Sequence, residues 1–427
     1  MVWRFGNIPN LHFYNYLILE NRTMNKFTIL CGFSFLFFFL ACNNNSPNTP
    51  QKTENKEIAT TLKWSDRLAL SVMKRNPEAW QTGDKEKPTW NYKIGLLMTA
   101  FEQLYKASGD EQYFEYMKTY AETIIDEGGN IKSYKLEEYN IDQINAGKFI
   151  FFMYEKTKDE RYLKALKTLR TQLEGHPRTN SNGFWHKKIY PYQMWLDGLY
   201  MGTPFYAQYN TTFENDDRMD DIIHQYEEIQ AHLVDESTGL LYHAWDESKA
   251  MDWADKTTGR SPGFWARSMG WYAMAIVDVL DFIPENHPKR AQLITYLNDL
   301  AAALVKVQDE KTGLWWQVPD QAGREGNYLE ASSSSMFVYA FAKGVKKGYL
   351  PETYQAVAEK AFDGLVSELI KVHPNGEVDV TNICKSAGLG GDPYRDATYD
   401  YYISEPIVTN NLHGTGPFIL AALALNK

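Results

Sequence analysis

The chain has 427 residues, 44% of them hydrophobic and 15% aromatic, with a formal net charge of −10. That length allows two or three average domains or one large barrel. The acidic balance and the lack of a Lys/Arg cluster argue against a nucleic-acid partner. The three cysteines build no disulfide framework. No Cys/His spacing matches a metal site and there is no Gly-rich phosphate loop, so neither metal nor cofactor is expected.

Residues 24–42 read as a leader rather than as part of the fold. Met24-Asn-Lys26 is a short basic start, and Phe27–Leu40 is an apolar run too short to span a bilayer comfortably. Ala41-Cys42 and a polar stretch follow. This pattern matches a bacterial lipoprotein signal, with cleavage before Cys42 and lipid on its thiol. Phe39 stands three residues before Cys42, where Leu is usual. The expected organisation is an upstream extension and signal over 1–41, a tether over 42–60 and one large domain over 61–427, with Met1 or Met24 as the start. The mature protein would be lipid-anchored in the periplasm or at the outer membrane. Loss of 1–41 removes three basic residues and one acidic one, which takes the charge from −10 to −12.

Past the tether one plan repeats: a helix with a charged face, a connection, then a helix rich in small and aromatic residues. Six pairs are predicted. They are 62–76 with 91–107, 111–127 with 141–156, 160–174 with 192–209, 216–234 with 265–282, 289–307 with 331–348, and 351–370 with 408–424. The connections repeat as well. Asn182-Gly-Phe-Trp-His186, Thr238-Gly-Leu-Leu-Tyr-His243 and Thr312-Gly-Leu-Trp-Trp-Gln317 each follow a first helix, and Asn375-Gly-Glu-Val-Asp379 is a weaker copy. Each Gly offers the positive φ that ends a helix. Self-similarity at this spacing marks a repeat architecture. Six hairpins predict an all-α closed ring with apolar helices inside, an open helical array being the other arrangement. In a ring the long connections gather on one face, and the site is expected there.

The third inner helix is apolar almost all round and carries one carboxylate, Asp197. Such a helix is buried, and a buried charge is costly unless something pairs with it or uses it. With the helix starting near Pro191, Asp197 lies beyond the N-terminal dipole, and desolvation raises its pKa towards that of a general acid. An Asp tied to a backbone or Arg partner is the other reading. Asp142, at the start of the second inner helix, is either an N-cap or a second carboxylate near Asp197. His186 and His243 end equivalent connections. Arg267 and Trp271, four apart, share a helix face, so a guanidinium fork and a stacking indole point the same way; an Arg–Asp pair and a core Trp are the alternative. Trp90 and Tyr92 open the first inner helix as pocket wall or packing, and Trp195 joins the substrate contacts beside Asp197. His413 begins the last inner helix between glycines. Asp246, Asp252 and Asp255 read as a solvated loop face.

Met194-Trp-Leu-Asp-Gly-Leu-Tyr-Met201, His243-Ala-Trp-Asp246, Trp265-Ala-Arg-Ser-Met-Gly-Trp271 and Ser332–Gly344 together resemble the unsaturated rhamnogalacturonyl hydrolases, glycoside hydrolase family 105. The likeness runs over about residues 62–427. The resemblance implies an (α/α)6 barrel, Asp197 as the catalytic acid and Asp142 as a second functional carboxylate. It also implies sugar contacts at His186, His243, Arg267 and Trp271. The implied partner is an oligosaccharide ending in a 4,5-unsaturated uronate. The related unsaturated glucuronyl hydrolases of family 88, acting on glycosaminoglycan fragments, are the nearest alternative; a non-catalytic sugar-binding lipoprotein is another. Ser268-Met269 departs from the pattern, which expects Gly and a small polar residue, and the departure is expected to alter the leaving-group side of the pocket.

Overall fold

The computed structural model describes residues 57–83 and 86–427. The expected leader, with Met24 and Cys42, and the expected tether up to residue 56 lie outside them. The chain is packed from Ile58 onward, whose N–H donates to the Asn375 carbonyl at 3.0 Å.

Among the described residues, six helical hairpins follow one another. The outer helices are α1 (Trp64–Arg75), α3 (Glu111–Ile124), α6 (Glu160–Gly175), α8 (Met219–Leu233), α10 (Arg290–Lys306) and α12 (Thr353–Gly364). Their inner partners are, in order, α2 (Tyr92–Ser108), the broken pair α4 (Asp142–Asn145) and α5 (Lys148–Thr157), α7 (Leu196–Phe213), α9 (Ala266–Val279), α11 (Ala331–Lys346) and α14 (Leu412–Ala424). The short α13 (Tyr399–Ser404) lies in the last connection. Each inner helix touches the next, and α14 packs back on α2. The ring is therefore closed and the open array is excluded: the architecture is an (α/α)6 barrel.

The residue pattern explains the two layers. In α3 the buried side chains Tyr113, Phe114, Met117, Tyr120, Ala121 and Ile124 fall at helical spacing on one face. Asp110, Asp159 and Asn91 accept from backbone N–H groups in the first turns of α3, α6 and α2. The inner helices are buried over most of their length: every residue from Ala331 to Ala342 in α11 is buried. Small residues set the helix spacing. A Cβ on Gly95 would lie 2.3 Å from the Ala146 Cα, so α2 approaches the α4–α5 break at backbone distance.

The third inner helix differs from the prediction. It begins at Leu196, not near Pro191, because Gln193–Trp195 is a strand, β1, antiparallel to β2 (Ala244–Asp246). The connections also differ in one detail. Gly239, Gly313 and Gly376 take positive φ, but in the first copy Asn182 takes it, at 72°. Gly183 is needed there for space, since a Cβ would meet the Met194 sulfur. Two further strand pairs complete the rim: β3 (Ile370–Val372) with β4 (Val378–Val380), and β5 (Ile383–Cys384) with β6 (Ile407–Val408).

Candidate active site

Four of the inner-helix entrances are tied to the next repeat by the same backbone bond. The N–H groups of Ile141, Leu196, Ala266 and Ala331 donate to the carbonyls of His186, His243, Gln317 and Asn382, at 3.0–3.1 Å. These four acceptors occupy equivalent places at the ends of the connections. The ladder continues as His186 N–H donates to Gln193 O at 2.7 Å, and β1 pairs Trp195 with Ala244. Side chains far apart in sequence are thereby set side by side on one rim.

Asp197 is the second residue of α7, within the helix's N-terminal turn. The expectation of a mid-helix carboxylate beyond the dipole does not hold, and with it goes the argument for an unassisted dry acid. The carboxylate is 14% exposed, so it is reachable from the rim, and its Oδ2 lies 3.2 Å from His243 Nε2. His243 is fully buried, and its Nδ1 is 2.9 Å from the Tyr402 hydroxyl. Trp195 is edge-on to His243 and parallel to His186, with ring centroids 5.5 and 4.3 Å away. It is 5% exposed and wedges the two imidazoles apart rather than offering an open face. Half-buried Tyr190, stacked on it at 5.0 Å, is the aromatic that faces outward.

Asp142 is not a cap. Asn140 accepts its backbone N–H at 3.1 Å, while its own carboxylate meets Lys187 Nζ at 2.7 Å and His186 Nε2 at 3.4 Å. Burial would raise its pKa, but Lys187 and then His186 outweigh burial and hold the carboxyl below its ordinary range. The expected carboxylate pair with one raised pKa is thus replaced at Asp142 by an ion pair. His186 lies within the field of both Asp142 and Asp197, and burial pushes it down to about 4, so it is neutral. The phenol of Tyr92 feels both carboxylates too, and burial pushes its pKa up. Its OH lies 2.7 Å from His413 Nε2, and His413 Nδ1 is 3.1 Å from the Lys385 carbonyl. The carbonyl can only accept, so His413 donates from Nδ1 and takes the Tyr92 proton at Nε2. Burial keeps that imidazole neutral.

Several candidates are structural. Arg267 is fully buried and pairs with Glu330 at 3.2 Å, with Ser332 Oγ at 2.7 Å and with the Cys384 carbonyl. Most of its fork is committed, which corrects its placing as a free carboxylate clamp. Trp271 is 1% exposed, stacked on Tyr200 at 5.0 Å and edge-on to His413, so it is a core side chain and not a sugar platform. Trp90 is packing: it is 4% exposed and its Nε1 donates to the Gln143 carbonyl at 2.7 Å. Ser268 and Met269 are fully buried, bound to Trp265 O and Leu241 N, so they do not reach the leaving-group side. Asp246 is also buried; its carboxylate ties down the loop through Ser248 and Met251 N–H. The rim thus unites Asp197, Asp142, His186, His243, Trp195, Tyr92 and His413. Sequence reasoning missed Lys187, which stands in a Lys-Lys pair that reads as solvated, and Tyr402, 159 residues from His243 with no local signal.

Comparison with known proteins places the chain and its fold among glycoside hydrolases. The model of Glycosyl Hydrolase Family 88 matches residues 64–427. A solved structure of a C. acetobutylicum glycoside hydrolase from family 105 is 46% identical, covers 86% of this chain and 99% of its own, and superposes with a TM-score of 0.82. The unsaturated rhamnogalacturonyl hydrolase YesR of Bacillus subtilis is 27% identical over 290 residues, 66% of this chain and 79% of its own. An unsaturated glucuronyl hydrolase from Bacillus sp. GL1, at 13% identity and a TM-score of 0.63 over 85% of this chain and 97% of its own, shares the fold.

Proposed function

The chain belongs to Glycosyl Hydrolase Family 88 and is a glycoside hydrolase, and from that premise we propose that it removes the terminal 4,5-unsaturated uronyl residue from polysaccharide-lyase products, rhamnogalacturonan fragments first among them. The observation that carries this reading is the unequal company of the two rim carboxylates: Asp142 is paired with Lys187, while Asp197 faces His243 and the open rim. Lys187 holds Asp142 ionised, so Asp142 has no proton to give at neutral pH. Asp197 has no lysine partner among the described residues, is 14% exposed at the rim and lies 3.2 Å from His243, and we assign the proton transfer to it. Ordinary glycosidases set two carboxyl groups on either side of the bond, one as acid. A single exchanging acid suits an unsaturated uronate, because its C4–C5 double bond beside the ring oxygen is a vinyl ether.

Asp197 donates a proton to C4, and the positive charge spreads between C5 and the ring oxygen. Water adds at C5 and returns its proton to Asp197. The resulting hemiketal opens to a ketone at C5, and C1 then expels the neighbouring sugar. His243 positions the Asp197 carboxylate, while Asp142, fixed as an anion, accepts from sugar hydroxyls. The name of the YesR relative supports rhamnogalacturonan as the source of the substrate.

Turnover in heavy water should place deuterium at C4 of the released uronate, with loss of the absorbance of the conjugated double bond. Equal cleavage of a saturated galacturonyl-rhamnose would rule hydration out. Asp197→Asn should lower kcat by roughly 10²–10⁴ with binding retained. Anchoring in the bacterial envelope through Cys42 forms part of the proposal; Cys42→Ala should move the protein from the membrane fraction to the soluble one, and an unchanged distribution would end that part.

A further inference from the structure

The opposite mouth of the barrel holds a second cavity, of about 480 Å³. Its wall is made mostly by the C-terminal halves of inner helices, with Lys148 entering from the first turn of α5. Gln208 on that wall is eleven residues beyond Asp197 along α7, roughly 16 Å at the helical rise. The rim chemistry therefore makes no use of it.

The charges lining this cavity do not balance. Its carboxylates are all answered: Glu102 by Lys106 at 2.6 Å, Asp278 by Lys343 at 2.7 Å, and Asp281 by Lys343 at 2.6 Å and Lys347 at 3.0 Å. Two lysines of the lining remain over. Lys346 stands exposed at the mouth. Lys148 is 6% exposed, with its Nζ 3.4 Å from the centre of the Tyr200 ring, and that nitrogen has no hydrogen-bond partner among the described residues. An ammonium kept dry without an anion is costly. The remaining wall mixes the apolar Pro204, Phe282 and Leu420 with the amides of Gln103 and Gln208. The volume is that of a small-molecule site.

We propose that this cavity is a second binding site, for a small organic anion of the size of an acidic mono- or disaccharide, with Lys148 receiving its carboxylate. The ring faces meet apolar wall and the hydroxyls meet the amides, while Lys346 draws the charge in. Burial pushes Lys148 down to about 7, with Asp278 and Glu102 raising it and Lys343 lowering it. The phenols of Tyr200 and Tyr339 also face this region, and burial keeps both protonated. At pH 8 the free amine is therefore largely neutral, and docking of a carboxylate draws a proton onto it.

Calorimetry of the full chain with D-galacturonate at pH 8, in two buffers of different ionisation enthalpy, tests this. The expected result is a binding event that takes up close to one proton and is separate from any at the catalytic rim. Lys148→Met should weaken it by at least about tenfold and abolish the uptake. The exposed Lys346→Glu, which leaves the interior intact, should weaken it several-fold, and neither variant should change hydrolysis at the rim. Unchanged binding and uptake in both variants would overturn the proposal. So would equal binding of neutral galactose, or inorganic phosphate binding as tightly as the uronate.

Discussion

Lys187→Met separates the two rim carboxylates experimentally. In the wild type Lys187 Nζ lies 2.7 Å from Asp142 Oδ2 and holds that carboxyl in its ionised form against the cost of burial. Unit charges at about 4 Å attract by about 4 kcal/mol at an effective dielectric near 20, worth about three pH units. Water entering the space left by the ammonium returns part of this, so the Asp142 pKa should rise by about one to two units. The sign follows from the direction of the native shift. Asp142 is depressed by its partner, so without it the carboxyl protonates at higher pH. The acid limb of kcat/KM on a lyase-made unsaturated disaccharide should move up by that amount, followed through the absorbance of the double bond. Lys187→Arg, which keeps the charge, should leave the limb near its wild-type position. A folded Lys187→Met enzyme with an unmoved acid limb would refute the fixed-anion role of Asp142.

Other expectations follow from burial. Glu330→Gln strands the fully buried Arg267 and should cost about 3–5 kcal/mol of stability, read as a lowered denaturation midpoint; a change confined to KM would restore Arg267 as a substrate clamp. Trp271→Phe should lower thermal stability while leaving KM unchanged, since the indole packs on Tyr200; a large rise in KM without loss of stability would contradict this. His186 and His176 are both pushed down from 6.5 to about 4 by burial. The unfolded chain binds protons at these sites first, so stability should fall as pH drops from 6.5 towards 4, by roughly 3 kcal/mol for each imidazole. His186→Gln should flatten part of that slope, and an identical slope in the variant would show that His186 is charged in the fold.

The ring was legible because the signals that build it are local. Outer helices carry a one-sided apolar stripe, inner helices lack a polar face, and the connections repeat. The start of α7 was not legible. Tyr190–Trp195 is aromatic at spacings that fit a helix, and what makes it a strand is pairing with residues 244–246, about fifty positions away. That single misplacement carried the error about the surroundings of Asp197. The i,i+4 spacing of Arg267 and Trp271 correctly put them on one face, but periodicity does not say whether a face meets the rim or the core. The partner that decides it, Glu330, lies 63 residues on. The clustering of Asp197, Asp142, His186 and His243 was visible through resemblance and repetition together, whereas Lys187 needed the actual contact.

The backbone latches at the four inner-helix entrances bear on how such an enzyme can diversify. Each latch uses only main-chain atoms, so its strength is indifferent to the side chain of the residue that supplies the carbonyl. Two of these stations hold imidazoles, His186 and His243, and the other two hold amides, Gln317 and Asn382. The scaffold thus keeps four stations in register, two of them, His186 and His243, at the rim beside the carboxylates, while Gln317 is tied by its side chain to Trp265 and Tyr402. A new specificity can be sought by exchanging the side chains at the two imidazole stations without redrawing the path of the chain.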